Sequence, residues 1–218
     1  MTPRVRTAVL ISGRGSNMSA LIEAARSPDF SGEIVLVLSD EPAAAGLSLA
    51  RNLGVAAEAI DFRAYTGKPA FEAALAARLA SASVEIVCLA GFMRVLSPSF
   101  VERWRGRMLN IHPSLLPSFP GLDPQGQALR AGVKISGATV HFVIPETDAG
   151  PIVMQGAVAV SDDDTAATLA ARILQIEHRI YPDALRLVAS GRIRIEGDVC
   201  KTAGSAGGDG AMISPAIS

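Results

Sequence analysis

The feature that most limits how this chain can fold is an alternation, through its first half, of short apolar runs with stretches of helical spacing. Residues 7–12 (TAVLIS), 33–39 (EIVLVLS), 55–60 and 84–90 (VEIVCLA) are rich in aliphatic residues and bounded by turn formers. Runs of that length and character predict strands covered on both faces. Between them, residues 17–26, 43–53 and 69–82 carry helix formers at helical spacing. Strands that alternate with helices are joined by crossovers, so they lie parallel in one sheet. The fold class expected is therefore α/β: a Rossmann-like, mostly parallel sheet with helices on both faces.

The second half reads differently. Residues 107–112 (RMLNIH) predict one more strand, followed by the proline-rich loop 113–120. Residues 135–144 and 152–160 read as longer strands joined by the short segment PETDAGP, which suits an antiparallel pair. A long helical pattern covers 165–190 and is interrupted at Pro182, with Asp164 or Thr165 to cap its start and Gly191 to end it. Residues 192–196 add a last short strand. The composition then turns to Gly, Ala and Ser, so one domain over 1–200 and a disordered tail over 201–218 are expected.

Bulk properties exclude several classes. Of 218 residues, 49% are hydrophobic, enough for a core without disulfides. The net charge of −1 gives no field to attract nucleic acid or an anionic membrane. Cys88 lies in an apolar run and Cys200 in polar surroundings, an unmatched pair that argues for a reducing compartment. No run has the length of a membrane span, and the first apolar stretch stops at Ser12. The reading is a cytoplasmic protein with small-molecule partners, as a monomer or a homodimer.

Two places carry chemistry. The first strand runs into Ser12-Gly13-Arg14-Gly15-Ser16-Asn17, just before a helix. Glycines there let backbone approach a phosphate, and the helix start offers free N–H groups and a favourable dipole. A tight turn with no ligand would use the same glycines. A dinucleotide site, with Asp40 as its ribose acid, is the rival, but Met18 stands where its third glycine belongs. The second place is Asn110-Ile111-His112. The two-residue period of a strand puts Asn110 and His112 on one face. An amide and an imidazole together can stabilise the oxyanion of acyl transfer, provided an anion such as Asp148, or less well Glu146, supports the imidazolium. A histidine that merely bonds backbone at a strand end fits the spacing equally well.

The run from Leu109 through Asn110, His112 and Ser114 to Pro117 (LNIHPSLLP) closely resembles the signature of the folate-dependent formyltransferases. The opening ISGRGSN, AGFMRVL at 90–96, TVHFV at 139–143 and DAGPI at 148–152 match in the same order, so the resemblance covers about residues 6–198. It implies transfer of a formyl group from 10-formyltetrahydrofolate, a co-substrate, to the amine of glycinamide ribonucleotide in purine biosynthesis. It further implies Asn110, His112 and Asp148 as catalytic residues and no metal. The acceptor phosphate falls on Gly15, Ser16 and Asn17, and its ribose hydroxyls on Glu177. Folate falls against Lys68, Met93, Arg94, Val95, Leu96 and Asn110, and against the loop Ile144, Pro145, Glu146, Thr147 and Asp148. A phosphate-binding half over about 1–105 and a folate and catalytic half over about 106–200 are implied as well. His141 and His178 are read as structural. Where many members are histidine-rich, this chain has Asp123-Pro124-Gln125-Gly126-Gln127, so no contact is carried over from that stretch. The alternatives are a formyltetrahydrofolate deformylase, which usually has an extra N-terminal domain, and, from another class, a nucleotide-binding oxidoreductase.

Overall fold

The computed structural model describes residues 3–204. Strand β1 (Val5–Ile11) leads into helix α1 (Ser16–Ala25), β2 (Gly32–Ser39) into α2 (Ala45–Asn52) and β3 (Ala57–Ala59) into α3 (Lys68–Ser81). Strand β4 (Ile86–Leu89) precedes the short α4 (Pro98–Arg103), and β5 (Met108–His112) precedes α5 (Pro124–Ala131). Next come strands β6 (Ile135–Phe142) and β7 (Ile152–Ala159), then α6 (Ala166–Ala189) and a hairpin of β8 (Ile193–Glu196) and β9 (Val199–Thr202). The seven strands of the main sheet run in the order β3-β2-β1-β4-β5-β6-β7. The first five are parallel, and β6 and β7 are antiparallel to their neighbours, as the sequence predicts.

The period of two along each strand sorts the core into two layers. Val9 and Ile11 of β1 face α1, α2 and α6, packing with Met18, Leu47 and Tyr181. Ala8 and Leu10 face the other way, onto Phe71, Leu75 and Leu79 of α3 and Phe100 of α4. Because β1 lies between β2 and β4, strand order reverses beside it, and the crevice at the carboxyl ends there is where open α/β sheets bind ligands. Tyr181 braces this region: its hydroxyl, fully buried, donates toward Leu89 O (3.0 Å) and Leu109 O (3.2 Å) on adjacent strands.

Two expectations need correction. Pro182 does not interrupt the last helix, which is continuous over 24 residues with the proline inside it. A proline in a helix interior costs about 3 kcal/mol, and burial of Leu169, Ile173, Ile180, Tyr181, Ala184 and Leu185 along one face outweighs that. Of the two caps expected, Thr165 takes the position, in a reciprocal box with Thr168, while Asp164 accepts from Arg172 and Ser161 N. Residues 201 and 202, expected in a tail, complete β9 by pairing with β8. The rest of the expected tail, 205–218, lies outside the described residues. Helices α4 and α5, unforeseen, are short and start at Pro98 and Pro124, where proline suits the first turn. Among the described residues no helix is long and apolar enough to cross a membrane.

Candidate active site

The loop after β1 is built around close backbone packing. Gly15 sits at φ 77° just before α1, and a Cβ there would lie 3.0 Å from Gly46 Cα of α2. Gly46 N in turn donates to Gly13 O at 3.0 Å. Among the described residues no side chain caps α1, so its first N–H groups are available to an anion, the arrangement that binds phosphate at helix starts. Ser16 and Asn17 open this helix. Asn17 Nδ2 donates to Glu177 Oε2 at 2.7 Å, and Asn17 Oδ1 is buried with no partner among the described residues. Residues 160 positions apart in the chain are thus joined at the loop, and the paired acceptors Asn17 Oδ1 and Glu177 suit hydroxyl donors.

Burial raises the pKa of Glu177, and the Asn17 bond offsets this only partly. A carboxyl whose folded pKa is raised contributes stability that is full below its ordinary value and is lost as pH rises through the folded one. Glu177→Gln, which keeps an acceptor for Asn17, is therefore expected to be more stable than the parent at pH 7. Urea denaturation between pH 4 and pH 8 checks this: the gain should shrink to nothing at the acid end, and a loss of stability at pH 7 would refute it.

The second cluster forms around β5. Antiparallel pairing sets Asn110 opposite His141 and His112 opposite Thr139. His141 Nδ1 lies 3.0 Å from Phe142 O, a carbonyl that can only accept, so that nitrogen carries hydrogen. Its Nε2 then accepts from Asn110 Nδ2 at 3.2 Å, which fixes the end of the amide that faces the histidine and leaves a second N–H. Burial lowers the pKa of His141, favouring this neutral form. His141 is thus the residue that the sequence reading undervalued; the pairing register, invisible in the sequence, sets it against Asn110.

His112 is buried, with both ring nitrogens facing acceptors. Its Nε2 is 3.0 Å from Phe119 O and its Nδ1 is 3.4 Å from Asp148 Oδ2. A doubly protonated ring satisfies both. Asp148, at φ 55°, also accepts from Gly121 N at 2.8 Å and lies 3.9 Å from His141 Nε2. The expected Asn110, His112 and Asp148 are therefore brought together, with His141 as a fourth member. Glu146, the substitute anion, is exposed and does not join them.

A cavity of about 220 Å³ opens onto this cluster. Asn110, His141 and Asp148 form its polar wall, with Met93, Arg94, Val95 and Leu96 on one side and the loop from Ile144 to Thr147 on another. His112 does not line it; it stands behind Asp148. A neighbouring cavity of about 260 Å³ shares the Met93–Leu96 wall and reaches Lys68 and Phe62. Every residue the sequence assigned to folate thus borders one of these two spaces. The exposed apolar side chains Met93, Val95 and Leu122 flank the first, a mostly apolar cleft with a few convergent polar groups, as ligand sites have. The departing stretch 123–127 braces its own loop: Asp123 accepts from Gly126 N, and Gln127 Nε2 donates to Pro120 O and Leu122 O.

Residues 5–185 match the family model described as formyl transferase. The human trifunctional purine biosynthetic protein adenosine-3 is 49% identical over 199 residues, 90% of this chain but 20% of that protein. The chain thus spans about a fifth of the trifunctional relatives it matches. A phosphoribosylglycinamide formyltransferase of Escherichia coli K12 is 41% identical over 86% of this chain and 88% of its own length. The crystal structure of glycinamide ribonucleotide transformylase 1 from Symbiobacterium toebii superposes with a TM-score of 0.90 at 48% identity, covering 93% of this chain and 96% of that one.

Proposed function

The chain belongs to the formyl transferase family, and from that premise we propose that it transfers the formyl group of 10-formyltetrahydrofolate to the amine of glycinamide ribonucleotide, in purine biosynthesis. The observation that carries the reading is the shared wall: the Asn110 amide and the Asp148 carboxylate line the same cavity as the Met93–Leu96 and 144–147 segments. The uncapped start of α1 and the Asn17–Glu177 pair support a phosphorylated acceptor bearing hydroxyls.

In this mechanism the uncharged amine of the acceptor attacks the formyl carbon and the carbonyl oxygen becomes negative. The second N–H of Asn110 donates to that oxygen, while His141 prevents the amide from turning. His112 supplies charge and a further donor, with Asp148 stabilising its imidazolium. For His112 Nε2 to reach the oxyanion, the 113–123 loop has to release it from Phe119 O. The tetrahedral intermediate collapses as the C–N bond to folate breaks. The attacking nitrogen loses a proton and the leaving folate nitrogen gains one. Free thiols at Cys88 and Cys200 support a reducing, cytoplasmic setting for this chemistry.

The test is a formyl-transfer assay with 10-formyltetrahydrofolate, run with and without glycinamide ribonucleotide. Release of tetrahydrofolate that depends on the ribonucleotide is expected. Release at the same rate without it would make the chain a deformylase, and no release in either case would overturn the activity.

A further inference from the structure

Asp40, the acid that would face a ribose in a dinucleotide site, is turned to a different use. It lies just after β2 and is 5% exposed. Its Oδ1 accepts from Ser12 Oγ at 2.5 Å and its Oδ2 from Arg94 Nε at 2.7 Å. Both of its oxygens are thus committed to protein donors. Ser12 Oγ also accepts from Met93 N at 2.9 Å, and the Arg94 guanidinium lies 4.0 Å over the Phe62 ring.

The Met93–Leu96 wall between the two cavities has no regular secondary structure to define it. Gly91, just before it, sits at φ 74° with its carbonyl bonded to Ser12 N. Beyond that bond, the backbone of Met93 and the side chain of Arg94 are located by the Ser12–Asp40 pair. Met93 and Val95 are 72% and 66% exposed, so packing does little to hold them. We propose that Asp40 is a positioning residue for folate: through Ser12 and Arg94 it sets the height of the wall against which the pterin ring lies. This rests on reading that wall as the folate site. The acceptor loop does not depend on Asp40 in the same way, because Gly13 and Gly15 are fixed by their backbone contacts with Gly46.

Substitution here should leave a folded protein, since the Arg94 side chain is 40% exposed and can turn to water. Asp40→Ala removes charge and acceptors together. Asp40→Asn keeps an acceptor for Arg94, removes the charge, and turns the Ser12 bond round, with the amide donating to Ser12 Oγ. The experiment measures tetrahydrofolate affinity by calorimetric titration, alongside kcat and both KM values. A lost hydrogen bond to a charged group predicts that Asp40→Ala weakens tetrahydrofolate binding and raises the folate KM about tenfold. In that variant kcat and the ribonucleotide KM should stay within about threefold of the parent, and Asp40→Asn should fall between the two. In an Arg94→Ala background, Asp40→Ala should add only the part of the loss that runs through Ser12, because the Asp40–Arg94 contact is already gone. Unchanged folate affinity in Asp40→Ala overturns the proposal, as does a fall in kcat with both KM values intact, which marks a structural role only. If the parent itself shows no transfer, the functional reading fails; the tetrahydrofolate titration still decides the role of Asp40.

Discussion

Asn110→Ala is expected to lower kcat by about 10²- to 10³-fold, the usual loss when one oxyanion donor is removed, equivalent to about 3–4 kcal/mol. The amide sits at the cavity wall with one N–H committed to His141 Nε2 and the other available. Its bond to the formyl oxygen strengthens as negative charge develops, so the loss should fall on kcat and leave both KM values nearly unchanged. Asn110→Asp replaces the donor with an anion facing the same point and is expected to do no better. The fold should tolerate either change, because Asn110 is half-buried and contributes no apolar packing. Steady-state kinetics with a thermal melt of each variant checks this. Turnover within tenfold of the parent in Asn110→Ala would remove the residue from the mechanism.

Asp148→Asn is expected to lower kcat on the order of 10²- to 10⁴-fold, by analogy with carboxylates that orient and charge-balance a catalytic histidine. One oxygen of the Asp148 carboxylate, Oδ2, serves two neighbours, the His112 ring and the Gly121 N–H. Both contacts fall on Oδ2, so an asparagine that turns its oxygen to that point keeps them, but it brings no charge to favour the imidazolium. Because the Gly121 contact at the rim of the cavity can be kept, the loss should fall on kcat with little rise in folate KM. Glu146 lines the same cavity but is exposed, and the ion pairs to His112 and His141 are made by Asp148 instead. Glu146→Gln is therefore expected to leave kcat within about threefold, with any change falling on the folate KM. Equal effects from the two substitutions would show that the loop's net charge matters and not the contacts of Asp148.

Much of the fold was legible because burial imposes periodicity. Strands covered on both faces have to be apolar throughout, so residues 33–39 and 84–90 announce themselves. The antiparallel pair was legible from its short connection. Elements whose support comes from elsewhere were not: α4 is a single short helix anchored by Ser97, whose N–H and hydroxyl bond Glu72 of α3. Strand β9 exists through its partner β8, and nothing in the local composition of residues 199–202 marks them as a strand.

For the site, residue types and their local spacing are legible in the chain: glycines before a helix, and an amide and an imidazole two residues apart on one strand. Those properties are local, set by backbone permissiveness and by the pleat of a strand. Which distant groups complete them follows from how the elements pack. That packing brought Glu177 to Asn17, Asp148 to His112, and His141 to Asn110. It gave Asp40 to Ser12 and Arg94 rather than to a ribose. It also held His112 behind the cavity wall, through the Phe119 carbonyl. These meetings depend on strand register, on loop closure and on the packing of α6 across the sheet. Each is fixed by the free energy of the whole core, which no local window of sequence contains.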